Sequence, residues 1–177
     1  MAKKAKVRHI VLIGMPSAGK TKVGKRLAKH LGWDFVDIDD RIREASKAKT
    51  LEELVSSVSA KRFAQIENNA AITTLRNLTR PTVIATGGSM VYCEEAMGVL
   101  ARNALVIHLH ASLPTILRRV AKRPNRGIVF APGETMADLY ARRMSRYQMW
   151  ADKTVCTDGH RAKVAKELAK ELSKTRC

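Results

Sequence analysis

The sequence predicts an α/β domain built on a mostly parallel sheet, and three observations carry that reading. Short β-rich runs alternate with longer amphipathic patterns, which implies right-handed crossovers and helices on both faces of the sheet. The first of those runs is continuously apolar, as a strand buried on both sides should be. The 177 residues, 45% apolar and 28% charged, have an ordinary globular balance, and no linker, repeat or low-complexity block divides them. Residues 1–177 are therefore read as one domain.

His9-Ile10-Val11-Leu12-Ile13 is the opening apolar run, closed by Gly14. Val23, Leu27 and Leu31 then fall at i, i+4 and i+8, one face of a helix that Gly32 ends. Phe35-Val36-Asp37-Ile38-Asp39 reads as a second strand, followed by a helix from Arg41. Thr50-Leu51-Glu52-Glu53 fits a capping box, in which a hydroxyl and a carboxylate satisfy the first free N–H groups of a helix. Pro81 precedes a third strand, Thr82-Val83-Ile84-Ala85, which breaks at Gly87-Gly88. Ala104 to Leu109 is a fourth strand, and Ser112-Leu113-Pro114 starts a helix with proline just inside the cap. Residues 122–134, rich in Pro, Gly and Arg, are the most loop-like stretch. Helical patterning resumes from Thr135 to about Met149, Lys153-Thr154-Val155-Cys156 is a fifth strand, and a charged amphipathic helix follows.

Lys and Arg number 33 against 16 Asp and Glu, a formal charge of +17. That excess selects anionic partners: nucleotides, phosphates, nucleic acid or acidic lipid. With aromatic residues at 5% and no RNA-binding signature, a specific nucleic-acid module is disfavoured. Cys93, Cys156 and Cys177 are scattered without a Cys-x-x-Cys pair, against both a disulfide framework and a thiolate zinc site. No apolar run approaches the roughly 18 residues that span a bilayer. The basic start, Met1-Ala2-Lys3-Lys4-Ala5-Lys6, leads into too short an apolar stretch for a signal peptide. A soluble cytoplasmic protein without a membrane partner is expected, with a monomer favoured. His108 and His110 alternate in a strand with no third ligand and read as ordinary sheet histidines. Met136, Met144 and Met149 read as core or lid filling, and Cys93 as an inert thiol.

Gly14-Met15-Pro16-Ser17-Ala18-Gly19-Lys20-Thr21 fits the phosphate-binding pattern G-x-x-x-x-G-K-[ST] in full, between a strand and a helix. Its glycines let the backbone wrap a phosphate so that successive N–H groups point inward. The helix N-terminus adds roughly half a positive charge. Lys20 reaches the β- and γ-phosphates of ATP, and the Thr21 hydroxyl ligates Mg²⁺. Gly14, Pro16, Ser17, Ala18, Gly19, Lys20, Thr21 and Lys22 are the expected nucleotide-binding residues.

Asp37 and Asp39 stand two apart at the end of the second strand, so both are expected to project from one face toward the crevice at the carboxyl ends of the strands. One carboxylate would hold Mg²⁺ and the other would orient an acceptor hydroxyl and take its proton. The competing reading is that Asp39 or Asp40 simply caps the helix from Arg41.

Taken together, the chain resembles the shikimate kinase family among the nucleoside-monophosphate-kinase-like P-loop proteins. The resemblance runs through Lys20-Thr21-Lys22-Val23-Gly24-Lys25-Arg26-Leu27-Ala28, Asp37-Ile38-Asp39, and Phe63 with Ile66-Glu67. It continues through Ala85-Thr86-Gly87-Gly88-Ser89-Met90-Val91, Arg118-Arg119, Arg126, and Arg143-Met144-Ser145-Arg146-Tyr147 before Ala151-Asp152. It implies a three-layer sandwich with a five-stranded parallel sheet, a mobile lid at about 122–135 and an acceptor-binding region at about 39–70. The implied reaction is transfer of the ATP γ-phosphate to the 3-hydroxyl of shikimate, a step toward aromatic amino acids. By the same resemblance Asp37 is the magnesium-side aspartate with Thr21, and Asp39 binds the substrate hydroxyls and acts as base. Gly87, Gly88 and Ser89 face the substrate, Arg119 packs on adenine, Arg126 reaches the moving phosphate, and Arg143 clamps the substrate carboxylate.

The chain departs from the family in its acceptor half. Ala64 stands where members carry an Arg that helps pair the carboxylate, and Ser89 replaces the third glycine of a triple. The lid reads Arg126-Gly127-Ile128-Val129 where Arg-Pro-Leu-Leu is usual, with a shortened descent to Arg143. Losing a bidentate Arg–carboxylate contact weakens binding by roughly one to three orders of magnitude unless Lys61 or Arg62 substitutes. Two other readings thus stand beside shikimate phosphorylation: a kinase of another small hydroxylated metabolite, and a nucleotide- or polyanion-binding protein without turnover.

Overall fold

The computed structural model describes residues 9–122 and 128–174. Its strands are β1 His9–Ile13, β2 Asp34–Asp37, β3 Thr82–Ala85, β4 Ala104–His110 and β5 Lys153–Cys156. They form one parallel sheet in the order β2-β3-β1-β4-β5. The helices are α1 Lys20–Leu31, α2 Ile38–Ser46, α3 Leu51–Ser57, α4 Ala60–Arg76, α5 Glu94–Asn103, α6 Leu113–Ala121, α7 Met136–Trp150 and α8 Arg161–Lys174, with a short 3-10 turn at Met90–Tyr92.

Strand β1 is central. Val11 stands opposite Ile84 on one side and Val106 on the other, and all three are buried. After β1 the chain builds β2 and β3 on one side, then crosses to build β4 and β5 on the other. Ligands in open parallel sheets settle beyond the carboxyl ends of the strands where the order reverses. Here that place lies over Ile13 and Gly14.

Two local expectations need correction. Strand β2 stops at Asp37, so Asp39 lies in the first turn of α2 and the helix begins at Ile38 rather than Arg41. The Asp37 carboxylate accepts from the backbone N–H of Asp39 at 3.2 Å, an N-cap that ends the strand. The neighbouring strand offers nothing to extend on, since pairing with β3 ends at Asp37 opposite Ala85. The residue that caps is therefore Asp37, not Asp39 or Asp40.

At Thr50 the hydroxyl accepts from the N–H of Glu53 as predicted, but Glu53 reaches back to the N–H of Lys49 rather than of Thr50. The reciprocal box forms instead between Thr135 and Asp138 at the start of α7. Met149 is 59% exposed and fills no core gap, while Met136 packs against the core edge.

Candidate active site

The phosphate loop is held in shape by its own backbone and by two distant elements. Gly14 adopts φ +144°, and a Cβ there would stand 2.5 Å from the Leu109 carbonyl oxygen, so the loop closes against β4 only with glycine. The Ala18 N–H donates to the Met15 carbonyl at 3.1 Å. The Thr157 hydroxyl donates to the Ala18 carbonyl at 2.8 Å, and the Arg119 guanidinium donates to the Ser17 and Ala18 carbonyls at 3.3 Å and to that of Thr157 at 2.5 Å. Helix α1 begins at Lys20 with no side-chain cap and no acid in its first turn. Its N-terminal amides and partial positive charge thus face the loop uncountered, which suits an anion.

Lys20 folds its ammonium over the loop, donating to the carbonyls of Gly14 at 2.6 Å and Met15 at 3.0 Å. The Thr21 hydroxyl donates to Asp37 Oδ2 at 2.7 Å. Burial pushes the Asp37 carboxyl above its usual range, and the Thr21 hydrogen bond partly offsets this.

A single cavity of about 500 Å³ runs from this loop to the predicted acceptor residues, touching Lys20 and Arg119 at one end and Asp39, Glu67 and Arg143 at the other. Its far wall is assembled by close approaches. A Cβ on Gly87 would lie 2.6 Å from Glu67 Oε1 and 2.9 Å from Asp39 Oδ1. A Cβ on Gly88 would lie 2.8 Å from Arg143 Nη1 and 2.9 Å from Pro16. Any side chain at 87 or 88 would therefore displace the groups that line the cavity.

Arg143 is 2% exposed. Its Nη2 donates to the Val129 carbonyl at 3.4 Å, its Nε has no hydrogen-bond partner, and among the described residues it forms no ion pair. A buried guanidinium that feels the charge of Glu67 without being ion-paired to it, among the described residues, leaves donors on the cavity wall that suit an anionic ligand.

The structure brings Lys20, Thr21, Asp37, Asp39, Gly87, Gly88, Ser89, Arg119 and Arg143 to one cavity, together with the loop residues Pro16, Ser17, Gly19 and Lys22. Arg126 lies outside the described residues, as do the other residues from 123 to 127 of the predicted lid. The described end of that lid contributes Ile128 and Val129 to the cavity. Lys61, Arg62 and Ala64 line a separate groove with Tyr92 and Cys93, so neither cation takes up the role of the missing arginine.

Two residues were not foreseen as site components. Glu67 is 1% exposed, and the Ser89 hydroxyl lies 2.8 Å from both of its oxygens. A sequence signal for it existed: Glu67 falls four residues after Phe63 and four before Ala71, on the buried stripe of α4, where a carboxylate is out of place. Tyr147 is fully buried; its hydroxyl donates to the Gly88 carbonyl at 2.8 Å, and its ring stacks on His108 at 4.9 Å. His108 and His110 do share a face, with centroids 5.8 Å apart, and His110 Nε2 is 2.9 Å from the Tyr140 hydroxyl. Burial pushes His108 down to about 4, and pushes the Cys93 thiol up to about 12, consistent with an inert thiol.

A phosphate loop at the head of a parallel sheet, opening on one cavity whose other end gathers carboxylates and a buried guanidinium, defines a P-loop phosphotransferase acting on a small molecule. Residues 16–173 match the family model described as shikimate kinase, and the chain belongs to the shikimate kinase family. A shikimate kinase of Thermodesulfovibrio yellowstonii is 36% identical over 171 residues, covering 95% of this chain and 96% of that protein. One of Salinispora tropica is 35% identical over 164 residues, covering 92% of this chain and 94% of that protein. Among solved structures, the shikimate kinase of Acinetobacter baumannii in complex with shikimate superposes with a TM-score of 0.82 at 26% identity, over 96% of this chain and 92% of that one.

Proposed function

We propose that this protein transfers the γ-phosphate of ATP to the 3-hydroxyl of shikimate, with both substrates housed in the one domain. The supporting observation is the pairing across one cavity of Asp39, a base near the phosphate loop, with Arg143, a buried cation that forms no ion pair among the described residues. A hydroxylated ring acid has the two features that such a wall can read: a carboxylate for Arg143 and hydroxyls for Asp39.

In this reading the loop amides and Lys20 hold the β- and γ-phosphates, and Arg119 packs against adenine. Asp39 orients the attacking hydroxyl and accepts its proton, Arg143 fixes the ring through its carboxylate, and Arg126 approaches the moving phosphoryl group. Thr21 and Asp37, a hydroxyl and a carboxylate 2.7 Å apart beside the phosphate loop, are the hard oxygen donors that Mg²⁺ takes alongside phosphates and water, so these residues fit that ion. When bound there it supplies charge neutralisation on the β- and γ-phosphates. Catalysis then consists of positioning and electrostatics. This reading places the protein in the cytoplasm, where ATP is plentiful, and it needs no macromolecular partner.

One observation favours a different hydroxylated acid as acceptor: among the described residues the acceptor wall offers a single guanidinium, that of Arg143, since Ala64 faces another groove. Incubation with Mg-ATP and a panel of shikimate, sugar acids, hydroxy-amino acids and cyclitols, followed by ADP assay and product mass, tests both. Shikimate 3-phosphate formed at a kcat/KM within the ordinary enzyme range of roughly 10⁴–10⁸ M⁻¹s⁻¹ is expected. ADP release with shikimate no greater than in buffer would overturn the shikimate assignment.

A further inference from the structure

Glu67 is the group that the proposed chemistry leaves without a task. It lies in the acceptor wall, and among the described residues Ser89 is the side chain hydrogen-bonded to its carboxyl group. The titratable and charged groups facing it are Asp39 from α2, Arg143 and Tyr147 from α7, and Cys93 at the start of α5. Among the described residues none forms an ion pair with it.

The identity of that one partner matters. A guanidinium only donates hydrogen bonds, so it fixes a buried carboxyl group as the carboxylate. A hydroxyl donates and accepts. Ser89 can therefore donate to an ionised Glu67, or donate to one oxygen while accepting from the protonated other, and its equal 2.8 Å distances suit both states. Burial is the largest influence and, with Asp39, favours the neutral form against Ser89 and Arg143, leaving the carboxyl pushed up to about 7. An anionic acceptor docked on Arg143 adds a negative charge and screens off the cation that opposes protonation.

We propose that Ser89 and Glu67 form a proton-holding pair in the acceptor wall, in which Glu67 takes one proton from solvent as an acceptor carboxylate docks on Arg143. Ser89 is then a positioning residue that serves both charge states, rather than a group that touches the acceptor. The proposal rests on the reading of Arg143 as a carboxylate clamp. Its consequence is linkage: acceptor affinity weakens as the pH rises above about 7, because binding and proton uptake are coupled.

Calorimetric titration of the protein with shikimate in buffers of different ionisation enthalpy reads this coupling directly. At pH 8 the wild type should take up close to one proton per shikimate bound, and its affinity should fall by up to about tenfold per pH unit above that. Glu67→Gln should show no uptake and a flat profile over the same range. Ser89→Ala, which loses a donor to the carboxylate, should leave more Glu67 protonated in the free protein, so that proton uptake at pH 8 falls and the affinity loss begins at higher pH. It should change nothing in Glu67→Gln, and Ser89→Thr should restore the wild-type profile. Zero uptake by the wild type, or equal uptake by Glu67→Gln, overturns the proposal.

Failure of shikimate to bind at all sinks the proposed function instead. The pair is then judged on the free protein, by carboxyl-carbon NMR of labelled glutamate. The Glu67 midpoint should lie near 7 and move higher in Ser89→Ala, which loses a donor to the carboxylate. A midpoint at the ordinary value of about 4.5 overturns the pair.

Discussion

The two ends of the cavity are built on different principles. At the nucleotide end, the loop from Gly14 to Thr21 carries a backbone N–H at every position but Pro16, and most polar groups there have partners: Lys20 with Gly14 and Met15, Thr21 with Asp37, Thr157 with Ala18, while the buried Ser17 hydroxyl has none among the described residues. At the acceptor end the lining comes from side chains of α2, α4 and α7 packed against the bare backbone of Gly87 and Gly88. Among the described residues its buried charges form no ion pair, Arg143 Nε has no hydrogen-bond partner, and the side chain that bonds Glu67 is a hydroxyl. A site made of backbone tolerates change around it as long as the loop closes. A site made of converging side chains is tuned by each of them, which is where this chain departs from its family at Ala64 and Ser89.

The largest effect that would break this contrast is at Lys20. Lys20→Ala should reduce turnover by roughly three orders of magnitude or more, with circular dichroism unchanged, because it removes a cation from the transferring phosphate without touching the core. Coupled ADP assay measures it, and retention of a tenth of wild-type kcat would show that the loop backbone suffices. Asp39→Asn comes next, with a kcat loss of roughly 10²–10⁴ and little change in the KM for ATP, the range expected for a positioned base.

Arg143→Met sharpens the contrast differently. The acceptor KM should rise by about 100-fold while the ATP KM stays within about threefold, since the cation serves one end of the cavity. Equal losses in both would mean that the ends are not separable.

The smallest effect concerns stability, and here the two ends should oppose each other. Glu67, pushed up to about 7 from 4.5, favours the folded state fully below pH 4.5, and this advantage is lost as the pH rises through 7. His108, pushed down to about 4 from 6.5, favours the folded state above pH 6.5, and that advantage is lost as the pH falls through 4. Urea midpoints of Glu67→Gln should therefore gain on the wild type between pH 5 and 8, by about 3 kcal/mol at most from the size of the shift. His108→Phe should gain on the wild type in the other direction, as the pH is lowered from 6.5 to 4.

What was legible in the sequence follows the same division. The phosphate loop could be read because its spacing is local, and the five strands because apolar runs and glycine breaks are local too. Asp39 lines the cavity, but from the first turn of α2 rather than from the strand that its spacing suggests, because an N-cap at Asp37 ends β2. Tyr147 belongs to α7, which meets the glycine turn only once the sheet is assembled, so no spacing along the chain announces it; for Glu67 the spacing on α4 marks a carboxylate on the buried stripe but not what it faces. Ser89 was read as a substitute for glycine at the acceptor. Its commitment to Glu67 depends on a partner 22 residues away.

Tyr147 belongs to neither end alone. Its ring lies on His108, whose own edge approaches Gly14, while its hydroxyl grips the Gly88 carbonyl. One side chain thus touches both the support of the phosphate loop and the glycine turn of the acceptor wall. The binding free energies of nucleotide and acceptor should not be additive, and Tyr147→Phe, which frees the Gly88 carbonyl while leaving the stack, should loosen that cross-talk before it costs either ligand its affinity.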